Sequence, residues 1–380
     1  MKVLHVINQL AASGAEVMLL NLATELRDFG IEQEIVTLIA GGSLVEKMRQ
    51  TGIPISSLSM EQGRPSLGAL IALNRRIKAS QPDVILGWMY HSCVAATLAA
   101  PRRIPVIWGI HHTLSKLEQE KPLTRVLIRY GRRLKKRVSE YVYVSETSAR
   151  HHFELGYPQA NHEVIPNGFD LTRFQGSEAA RGDIRSAIGL GEGQIVVGSA
   201  ARFHPMKNHV GLIESFADVA RRIPETVLLL AGRDVCETNV ELQQVINREQ
   251  LQGRVLLLGE RSDMARVMAG IDIYVSASLW GESFPLVLGE AMASGVPCVA
   301  TDLGDCAAII GDTGQVVPPG DKKALSEAML WMVEQGPEVR RRLGIAARRR
   351  VEENYALRKV AAQYLELFRR ASSERLPYAN

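Results

Sequence analysis

The feature that most restricts the fold of this chain is a regular alternation of short strand-like runs with longer amphipathic segments. The short runs are rich in valine and isoleucine, which is typical of strands buried on both faces. Helical spacing of apolar residues marks the segments between them, as at Ala15–Phe29, Leu67–Ser80 and Leu123–Val138. This alternation predicts an α/β protein whose parallel sheets are covered by helices on both faces. The predicted strands are Val3–Ile7, Glu34–Ile39, Ile55–Leu58, Val84–Trp88, Val106–Ile110, Tyr141–Val144 and Glu163–Ile165 in the first half, and Ile195–Ser199, Thr226–Ala231, Arg254–Leu258, Ile271–Ser276, Val296–Ala300 and Gln315–Val317 in the second.

Two such series in one chain predict two Rossmann-like domains. With 380 residues, the chain is long enough for each domain to have its own core. An irregular stretch, Asp170–Gly193, is rich in glycine and charge and separates the two series. We therefore expect an N-terminal domain over residues 1–170 and a C-terminal domain over residues 171–354.

Polar and glycine residues at the ends of predicted strands are the first candidates for a site. In doubly wound sheets, ligands bind beyond the carboxyl ends of the strands. Two domains whose strand ends face each other would form one cleft. The residues that follow strand ends are Gly14, His111, Arg202, Arg233, Arg261 and Glu282.

Two acidic residues, Glu282 and Glu290, stand seven residues apart across a predicted helix start. Pro285 suits the first helical position, where a missing N–H has no cost. The start of a helix offers free N–H groups and a partial positive charge, which favour a phosphate group. Glu290 would then lie about a turn and a half into the helix. This arrangement can hold a nucleotide sugar at several points.

Composition limits the other classes of protein. With 46% hydrophobic and 23% charged residues, the chain is typical of a globular protein. No signal-peptide pattern opens it. The apolar stretch Val84–Ala100 is interrupted by His91 and Ser92, so it predicts a strand, a turn and a buried helix rather than a membrane span. The cysteines are far apart and form no C-x-x-C motif, which favours reduced thiols in a cytosolic protein. They are Cys93, Cys236, Cys298 and Cys306.

Several segments, taken in order, carry a family resemblance. They are Ser13–Glu16 after the first strand, Val144–Glu146, Val164–Asp170, Gly198–Asn208, and the pair Glu282 and Glu290. The pair resembles the E-x7-E signature of the retaining glycosyltransferases of family four (glycosyl transferases group 1). The similarity extends over nearly the whole chain. It implies the GT-B fold, in which two Rossmann-like domains have parallel sheets facing across a cleft, an acceptor-side N-terminal domain and a C-terminal domain that binds the nucleotide sugar. It also implies that the C-terminal segment, residues 355–380, crosses back to the N-terminal domain.

The resemblance assigns the donor's diphosphate to Arg202 and Lys207. A departing phosphate develops negative charge, and without a metal ion protein cations must stabilise it. Gly14 lets the backbone approach the phosphate closely, because a side chain there would obstruct it. The alternatives are that Arg202 and Lys207 are surface cations and that Gly14 is an ordinary turn glycine.

The remaining donor contacts lie around the two acids. A carboxylate can accept hydrogen bonds from both hydroxyls of a ribose, and we assign this role to Glu290. Glu282 is assigned to the transferred sugar, and Phe284 and Leu286 to the donor beside the helix start. We expect the nucleotide base to lie near two cations that follow strand ends, Arg233 and Arg261.

His111 ends the strand Val106–Ile110, and by analogy with the family it lies near the sugar or the acceptor. His112 could exchange roles with it, or His111 could merely cap the strand. Retention of configuration requires either a covalent carboxylate intermediate or attack on the front face. The resemblance implies the front-face route, and the sequence leaves the choice open.

Basic residues are concentrated in one segment that also shows helical spacing of Leu127, Tyr130, Leu134 and Val138. It predicts a basic amphipathic helix, with either a solvated face or a face that contacts anionic lipid headgroups or a polyanionic acceptor. No nucleic-acid motif accompanies it. The cations are Arg125, Arg129, Arg132, Arg133, Lys135, Lys136 and Arg137.

These observations favour a metal-independent, retaining hexosyltransferase that needs no cofactor. The expected donor is a nucleotide-diphosphate sugar, with UDP favoured, and the expected acceptor is a sugar of a polysaccharide or a lipid-linked glycan. The protein would work in the cytoplasm or against the inner membrane face. The alternatives are a nucleotide-sugar epimerase with the same two-domain shape and a non-catalytic scaffold that retains the fold.

Overall fold

A computed structural model describes residues 1–61, 64, 66–114, 117–191 and 193–373. The chain divides into two compact units. The first unit consists of Met1–Gly168 together with the helix Leu357–Ser373, and the second consists of Phe169–Ala356. Each unit contains one parallel sheet, which confirms the predicted α/β class.

The first sheet has seven strands in the order β3-β2-β1-β4-β5-β6-β7. The chain moves outward on one side of the first strand and then returns to its other side, so the order reverses between the first and fourth strands. The strands are β1 (Lys2–Ile7), β2 (Glu32–Thr37), β3 (Ile55–Ser57), β4 (Val84–Trp88), β5 (Val106–Ile110), β6 (Glu140–Tyr143) and β7 (His162–Val164).

The second sheet repeats this plan with six strands in the order β10-β9-β8-β11-β12-β13. Its order reverses between the eighth and eleventh strands. In doubly wound sheets such a reversal is the usual place for a ligand. The strands are β8 (Ile195–Ala200), β9 (Thr226–Ala231), β10 (Val255–Leu257), β11 (Ile273–Ser276), β12 (Cys298–Thr301) and β13 (Gln315–Val317).

Helices alternate with the strands, as the apolar periodicity predicts. They are α1 (Gly14–Asp28), α2 (Val45–Gln50), α3 (Leu67–Ser80), α4 (Met89–Ala99), α5 (Pro122–Gly131), α6 (Glu146–Glu154), α7 (Glu178–Ala187), α8 (His209–Arg222), α9 (Val240–Arg248), α10 (Met264–Ala269), α11 (Leu286–Ala293), α12 (Cys306–Ile310), α13 (Lys322–Glu334), α14 (Gly336–Tyr355) and α15 (Leu357–Ser373).

The last helix, α15, completes the core of the first unit. Its residues Tyr364 and Phe368 are fully buried in one cluster with Leu22 of α1 and Leu86 of β4. Gly168 makes room for the start of α15, because a Cβ atom there would lie 2.8 Å from the Cα atom of Leu357. The first unit is therefore built from both ends of the chain.

The stretch Val84–Ala100 forms a strand and a buried helix, as predicted, but the helix follows the strand at once, without the predicted turn. Strand β4 passes into α4 at Met89, which has a left-handed φ of 65°. Within the described residues, no helix combines the length and the apolar character needed to cross a membrane.

The basic segment differs from the prediction of one continuous amphipathic helix. The α-helix α5 ends at Gly131, and a 3-10 helix continues over Arg132–Arg137. Gly131 packs tightly, since a Cβ atom there would lie 2.7 Å from the Tyr157 hydroxyl. The Arg137 guanidinium donates to the backbone carbonyls of Thr97 and Ala100, 3.3 and 2.8 Å away. These tertiary contacts fix a tighter turn than the sequence period suggests.

The stretch Asp170–Gly193, predicted to be irregular, contains a helix, α7. Ser177 caps it, because its side chain accepts a hydrogen bond from the backbone N–H of Ala180 at 3.1 Å. Ile184 is buried and lies against Gly270. The helix is stabilised by this cap, by the buried Ile184 and by the ion pair of Arg185 with Asp272, so the polar composition of the segment did not reveal it.

Candidate active site

Two loops of the second unit meet where the strand order reverses. One follows β8 and contains the 3-10 helix Pro205–Lys207, and the other follows β11 and leads into α11. The backbone N–H of Leu279 donates to the carbonyl of Met206 at 2.8 Å. Gly281, with a φ of 77°, lies so close to Met206 that a Cβ atom would be 2.6 Å from its sulfur. The two loops therefore hold each other in place.

Lys207 and Glu282, 75 residues apart in sequence, form an ion pair at this junction. The same carboxylate oxygen, Oε1, accepts a hydrogen bond from the Ser278 hydroxyl at 2.6 Å. Glu282 and Ser278 are both buried. The structure thus brings together two residues that the sequence proposed for different parts of a donor, the diphosphate and the sugar.

Arg202 follows the end of β8 and is exposed. Within the described part of the chain it forms no ion pair, so its guanidinium is available to an anion. The backbone beside it is fixed, because the N–H of Phe203 donates to the carbonyl of Arg233 at 2.8 Å. Arg202 is therefore an exposed cation on an ordered strand end.

Arg233 and Arg261 follow the next two strands of the sheet, β9 and β10. Their loops are joined by a hydrogen bond of 2.7 Å from the N–H of Gly232 to the carbonyl of Gly259. Arg233 is exposed. Arg261 makes a two-pronged pair with Asp263, at 2.8 and 2.7 Å, which raises the pKa of the guanidinium. A ligand would have to compete with Asp263 for Arg261.

Helix α11 begins one residue later than predicted, at Leu286, with Pro285 at the capping position. No side chain caps this end of the helix. Phe284 is buried, its ring stacked on Phe169 at 6.1 Å between centroids and against Tyr355 at 5.3 Å. Its side chain belongs to the core, so it can offer a ligand only backbone groups. The partly buried Leu286 is at the first turn.

Glu290 lies in the second turn of α11, as predicted. Burial raises the pKa of its carboxyl group to about 7, and the nearby cation Arg173 opposes this effect. The preceding residue must be glycine, because a Cβ atom at Gly289 would lie 2.0 Å from the ring of Phe169. The fold thus holds Glu290 as an acid that titrates near neutral pH.

Gly14 lies in the first unit, as the first residue of α1, and is exposed. Ser13 precedes it, but its hydroxyl donates to Glu16 instead of capping the helix. Desolvation raises the pKa of Glu16. The start of this 15-residue helix, just after β1, is open to an anion at a residue without a side chain.

His111 lies at the end of β5, also in the first unit. Its Nδ1 is 3.2 Å from the Oδ1 atom of Asn167, and its ring stacks on Trp88 at 4.9 Å between centroids. Because an amide oxygen only accepts, Nδ1 carries the proton and Nε2 has a lone pair. Burial lowers the pKa of His111 to about 4. The ring is therefore neutral near pH 7.

A second, wholly buried contact supports this ring. The indole N–H of Trp88 donates to Nδ1 of His5 at 3.3 Å, and Nε2 of His5 lies 3.1 Å from the Gln33 amide oxygen. Burial lowers the pKa of His5 to about 4 as well. A series of hydrogen bonds between neutral side chains therefore joins Gln33 to His5 and His5 to Trp88, the residue on which His111 stacks.

His112 has a different environment. Its Nε2 is 2.7 Å from the Glu120 carboxylate, and this contact lowers the pKa of Glu120. Its backbone carbonyl accepts from the Ser148 hydroxyl at 2.6 Å. Since its ring already has an anionic partner, the geometry favours His111 over His112 as the ring presented to a ligand.

Three supporting residues were not among the candidates proposed from the sequence: Ser278, Trp88 and Asn167. Each lies at or just after a strand end, which is the one signal that could have found them. Ser278 is only 4 residues from its partner Glu282, whereas Trp88 and Asn167 are 23 and 56 residues from His111, separations that no local pattern predicts.

Two family models match the chain. Residues 12–173 match "Glycosyltransferase Family 4", and residues 180–350 match "Glycosyl transferases group 1". Together they span nearly all of both units.

Individual proteins agree with these matches. The chain is 26% identical over 269 residues to N-acetyl-alpha-D-glucosaminyl L-malate synthase of Bacillus anthracis, covering 70% of this chain and 68% of that protein. It is 31% identical over 143 residues to UDP-Gal:alpha-D-GlcNAc-diphosphoundecaprenol alpha-1,3-galactosyltransferase of Escherichia coli, covering 37% and 36%. The crystal structure of Anabaena Alr3699/HepE in complex with UDP superposes with a TM-score of 0.86 at 24% identity, over 97% of this chain and 100% of that one. With both units matched in sequence and in fold, the chain belongs to the family-four glycosyltransferases (glycosyl transferases group 1) of the GT-B fold.

Proposed function

We propose that this glycosyltransferase moves a hexose from a UDP-sugar to a sugar of a polysaccharide or lipid-linked glycan, with retention and without a metal ion. The observation that carries the proposal is the cluster of Lys207, Glu282 and Ser278 in the second unit, with the exposed Arg202 on the strand end before it. Cations, a buried carboxylate and an uncapped helix start together suit a sugar diphosphate.

UDP as the nucleotide is supported by two similar proteins. The Anabaena structure contains UDP, and the name of the E. coli relative specifies a UDP-linked sugar. In our assignment, Arg202 and Lys207 bind the diphosphate, and Glu290 accepts from the ribose hydroxyls. Arg233 and Arg261 lie toward the base.

Glu282 is assigned to the transferred sugar. In the free protein its carboxylate is paired with Lys207. A diphosphate that draws Lys207 to itself would release an oxygen of Glu282 to accept from a sugar hydroxyl. The donor would thus complete the site that recognises its own sugar.

We also propose roles for Gly14 and His111 of the first unit. We assign Gly14 to close approach of the backbone to a phosphate, and His111 to a hydroxyl of the sugar or acceptor. The neutral ring of His111 can accept a hydrogen bond through Nε2, a role that its low pKa preserves throughout the neutral range.

The reaction is assigned to the front face of the sugar. The bond from the anomeric carbon to the diphosphate oxygen breaks, and the acceptor oxygen bonds to that carbon on the same face. The acceptor's proton passes to the departing phosphate oxygen. Arg202 and Lys207 stabilise the negative charge that develops there, which is the part a metal ion would otherwise play.

One assay tests this proposal. The protein is incubated with a panel of labelled UDP- and GDP-sugars, and the nucleotide, the free sugar and any epimer are measured. Release of UDP with transfer or slow hydrolysis supports it, whereas an epimerised UDP-sugar or no reaction with any donor contradicts it. Activity that disappears in EDTA and returns with magnesium or manganese would contradict the metal-independent part alone.

We also propose that the basic segment binds an anionic membrane surface, which would place the protein on the inner membrane face. Arg129, Arg132, Arg133, Lys135 and Lys136 are exposed, whereas Arg137 is held by backbone carbonyls. Each exposed cation near an anionic surface contributes about 1 kcal/mol of attraction. We expect the protein to sediment with anionic but not neutral vesicles, and less so as salt increases. Replacing Arg132, Arg133, Lys135 and Lys136 with Gln should abolish this difference. If the variant sediments with anionic vesicles as much as the parent does, the assignment is wrong.

A further inference from the structure

The first unit contains an apolar cavity of about 420 Å³, separate from the residues assigned above. This volume is within the range of small-molecule sites. The cavity lies beyond the carboxyl ends of β1, β2 and β3, where Asn8, Leu38 and Leu58 line it. Helices α3, α4 and α5 supply most of the remaining wall, through side chains such as Leu73, Val94 and Leu127.

The mouth of this cavity is unusually apolar for a protein surface. Of the nine large hydrophobic side chains exposed among the described residues, four line it. They are Leu67 on α3, Leu98 on α4, and Val126 and Tyr130 on α5, with exposed fractions of 79%, 47%, 59% and 38%. Single exposed hydrophobic residues need no explanation, but a cluster around a concave site marks a binding surface.

Charge borders this apolar surface on one side. On α5 the residues that line the cavity are Leu123, Val126, Leu127 and Tyr130, which form one stripe at helical spacing. Arg125 precedes Val126 in sequence, and Arg129 precedes Tyr130. Around the helix, both arginines lie past Val126, on that side of the apolar stripe. Four further exposed cations follow Tyr130 in the 3-10 helix. The facing polar groups are few: Asn8, Ser66, His91 and the surface ion pair of Glu61 with Arg64.

We infer that the cavity binds the hydrocarbon chain of a lipid-linked acceptor, with the phosphate or diphosphate that joins lipid to sugar beside Arg125 and Arg129. An apolar pocket bordered by cations is complementary to a molecule whose long apolar chain ends in a phosphate. The inference deepens the proposed function, on which it rests, by selecting the lipid-linked class of acceptor. The E. coli relative carries a diphospho-lipid acceptor in its name, which agrees with this choice.

The binding test uses farnesyl diphosphate, a soluble probe with a short isoprenoid chain, titrated by calorimetry below its aggregation concentration. Excess UDP is present throughout, so that the diphosphate of the probe cannot use Arg202 and Lys207. We expect the probe to bind at least about 10-fold more tightly than inorganic diphosphate, a difference of 1.4 kcal/mol, because only the probe has a chain. Equal affinities would overturn the inference.

Two double variants separate the chain from the phosphate. Leu98→Gln with Val126→Gln removes apolar surface at the mouth without altering charge, and we expect about 10-fold weaker binding. Arg125→Gln with Arg129→Gln should weaken binding and reduce its dependence on salt. The matched control is Val240→Gln, which changes a valine that is 69% exposed on a helix of the second unit and should bind as the parent does.

Because Leu98, Val126 and Arg129 are exposed and Arg125 is only partly buried, the variants should fold, which circular dichroism and the thermal midpoint will check. The inference is wrong if the double variant Leu98→Gln with Val126→Gln binds the probe as tightly as the parent. It is also wrong if the parent sediments with anionic vesicles but does not bind the probe. A separate UDP titration keeps the two proposals distinct. UDP binding without probe binding refutes only the acceptor assignment, and probe binding without UDP binding refutes only the donor assignment.

Discussion

The two units present their candidate residues in opposite electrostatic states. In the second unit, Lys207 and Glu282 are an ion pair and Arg202 is an exposed cation. In the first unit, His111 is a neutral ring held by stacking on Trp88 and by the amide of Asn167. The comparison teaches that similar strand-end positions can have opposite electrostatics. Under the proposed function, the second unit exchanges an internal charge for the charge of a ligand, and the first makes hydrogen bonds without a change of charge.

Two buried histidines of the first unit and Glu290 of the second unit respond to pH in opposite directions. Burial lowers the pKa of His5 and His111 to about 4, so the unfolded chain binds more protons than the folded one between about 4 and 6.5. Their contribution to stability is present above pH 6.5 and is lost as pH falls. Burial raises the pKa of Glu290 from 4.5 to about 7, so its effect has the other sign and reduces stability as pH rises through that interval.

The largest effect is expected from Glu282→Gln. Loss of the carboxylate removes both the partner of Lys207 and the proposed acceptor for the sugar, so turnover should fall about 10²–10³-fold. Free UDP should still bind nearly as well, because Arg202 and Lys207 remain. Steady-state turnover and UDP calorimetry measure the two quantities.

The control for this variant is Glu260→Gln, which neutralises an exposed carboxylate just after β10 at the same sheet edge. It should leave turnover close to that of the parent. If Glu282→Gln weakens bare UDP as much as it slows turnover, the assignment of Glu282 to the sugar is wrong.

Arg202→Ala tests whether the exposed cation binds the diphosphate. A charge-assisted contact of this kind contributes roughly 1.5–3 kcal/mol, so UDP affinity should decrease about 10- to 150-fold. Arg222→Ala, which removes an exposed arginine at the end of α8, should bind UDP as the parent does. A folded Arg202→Ala protein with parental affinity would return Arg202 to the role of a surface cation.

His5→Gln tests the neutral character of the first unit. From pH 7 to pH 5, the lowered pKa of His5 should reduce the free energy of unfolding by about 2 kcal/mol, and the variant should lack this part of the decrease. Urea denaturation at several pH values measures it, followed by signals for each unit in case the two unfold separately. Parallel pH profiles of parent and variant would show that His5 is not held neutral.

The smallest expected effect belongs to Glu290. If its carboxylate accepts from the ribose, UDP affinity should increase with pH by up to about 10-fold from pH 6 to pH 8, as a group with a pKa near 7 ionises. Glu290→Gln should bind UDP more weakly at pH 8 and lose this part of the pH dependence. The phosphate of UDP titrates equally in the titrations of the parent and of the variant. The difference between their pH profiles of UDP affinity therefore reports Glu290 alone. Identical pH profiles would contradict the ribose assignment.

What could be predicted from the sequence depends on the range of the interactions. Continuous apolar runs predicted the strands, because a strand that is buried on both faces has apolar residues at successive positions. The strand β4 and the helix α4 were predicted in this way. The helical spacing of Leu127, Tyr130, Leu134 and Val138 predicted an α-helix that continues beyond its real end at Gly131. The reason is that Arg137 is fixed by two carbonyls at the end of α4 and just after it, 40 and 37 residues away in sequence.

The same limit applies to the site. Strand-end position and the spacing of acids were sufficient to propose Glu282, and the family resemblance was needed to propose Lys207. That Lys207 and Glu282 pair follows from the meeting of the two loops after the neighbouring strands β8 and β11. Ser278 shares the carboxylate from within the second of these loops. The stacking of His111 on Trp88 likewise depends on β4 and β5 lying side by side, which no local pattern contains.

The position of α15 has a consequence for how the protein is made. Domains generally fold as units during synthesis, with the N-terminal one first. Here the first unit lacks Tyr364 and Phe368, two of its largest buried side chains, until the final segment of the chain has left the ribosome. The second unit, Phe169–Ala356, is synthesised in full before that moment. The unit that the ribosome begins first is therefore the last to be finished, and a nascent chain stalled before Leu357 should carry a folded second unit and an incomplete first one.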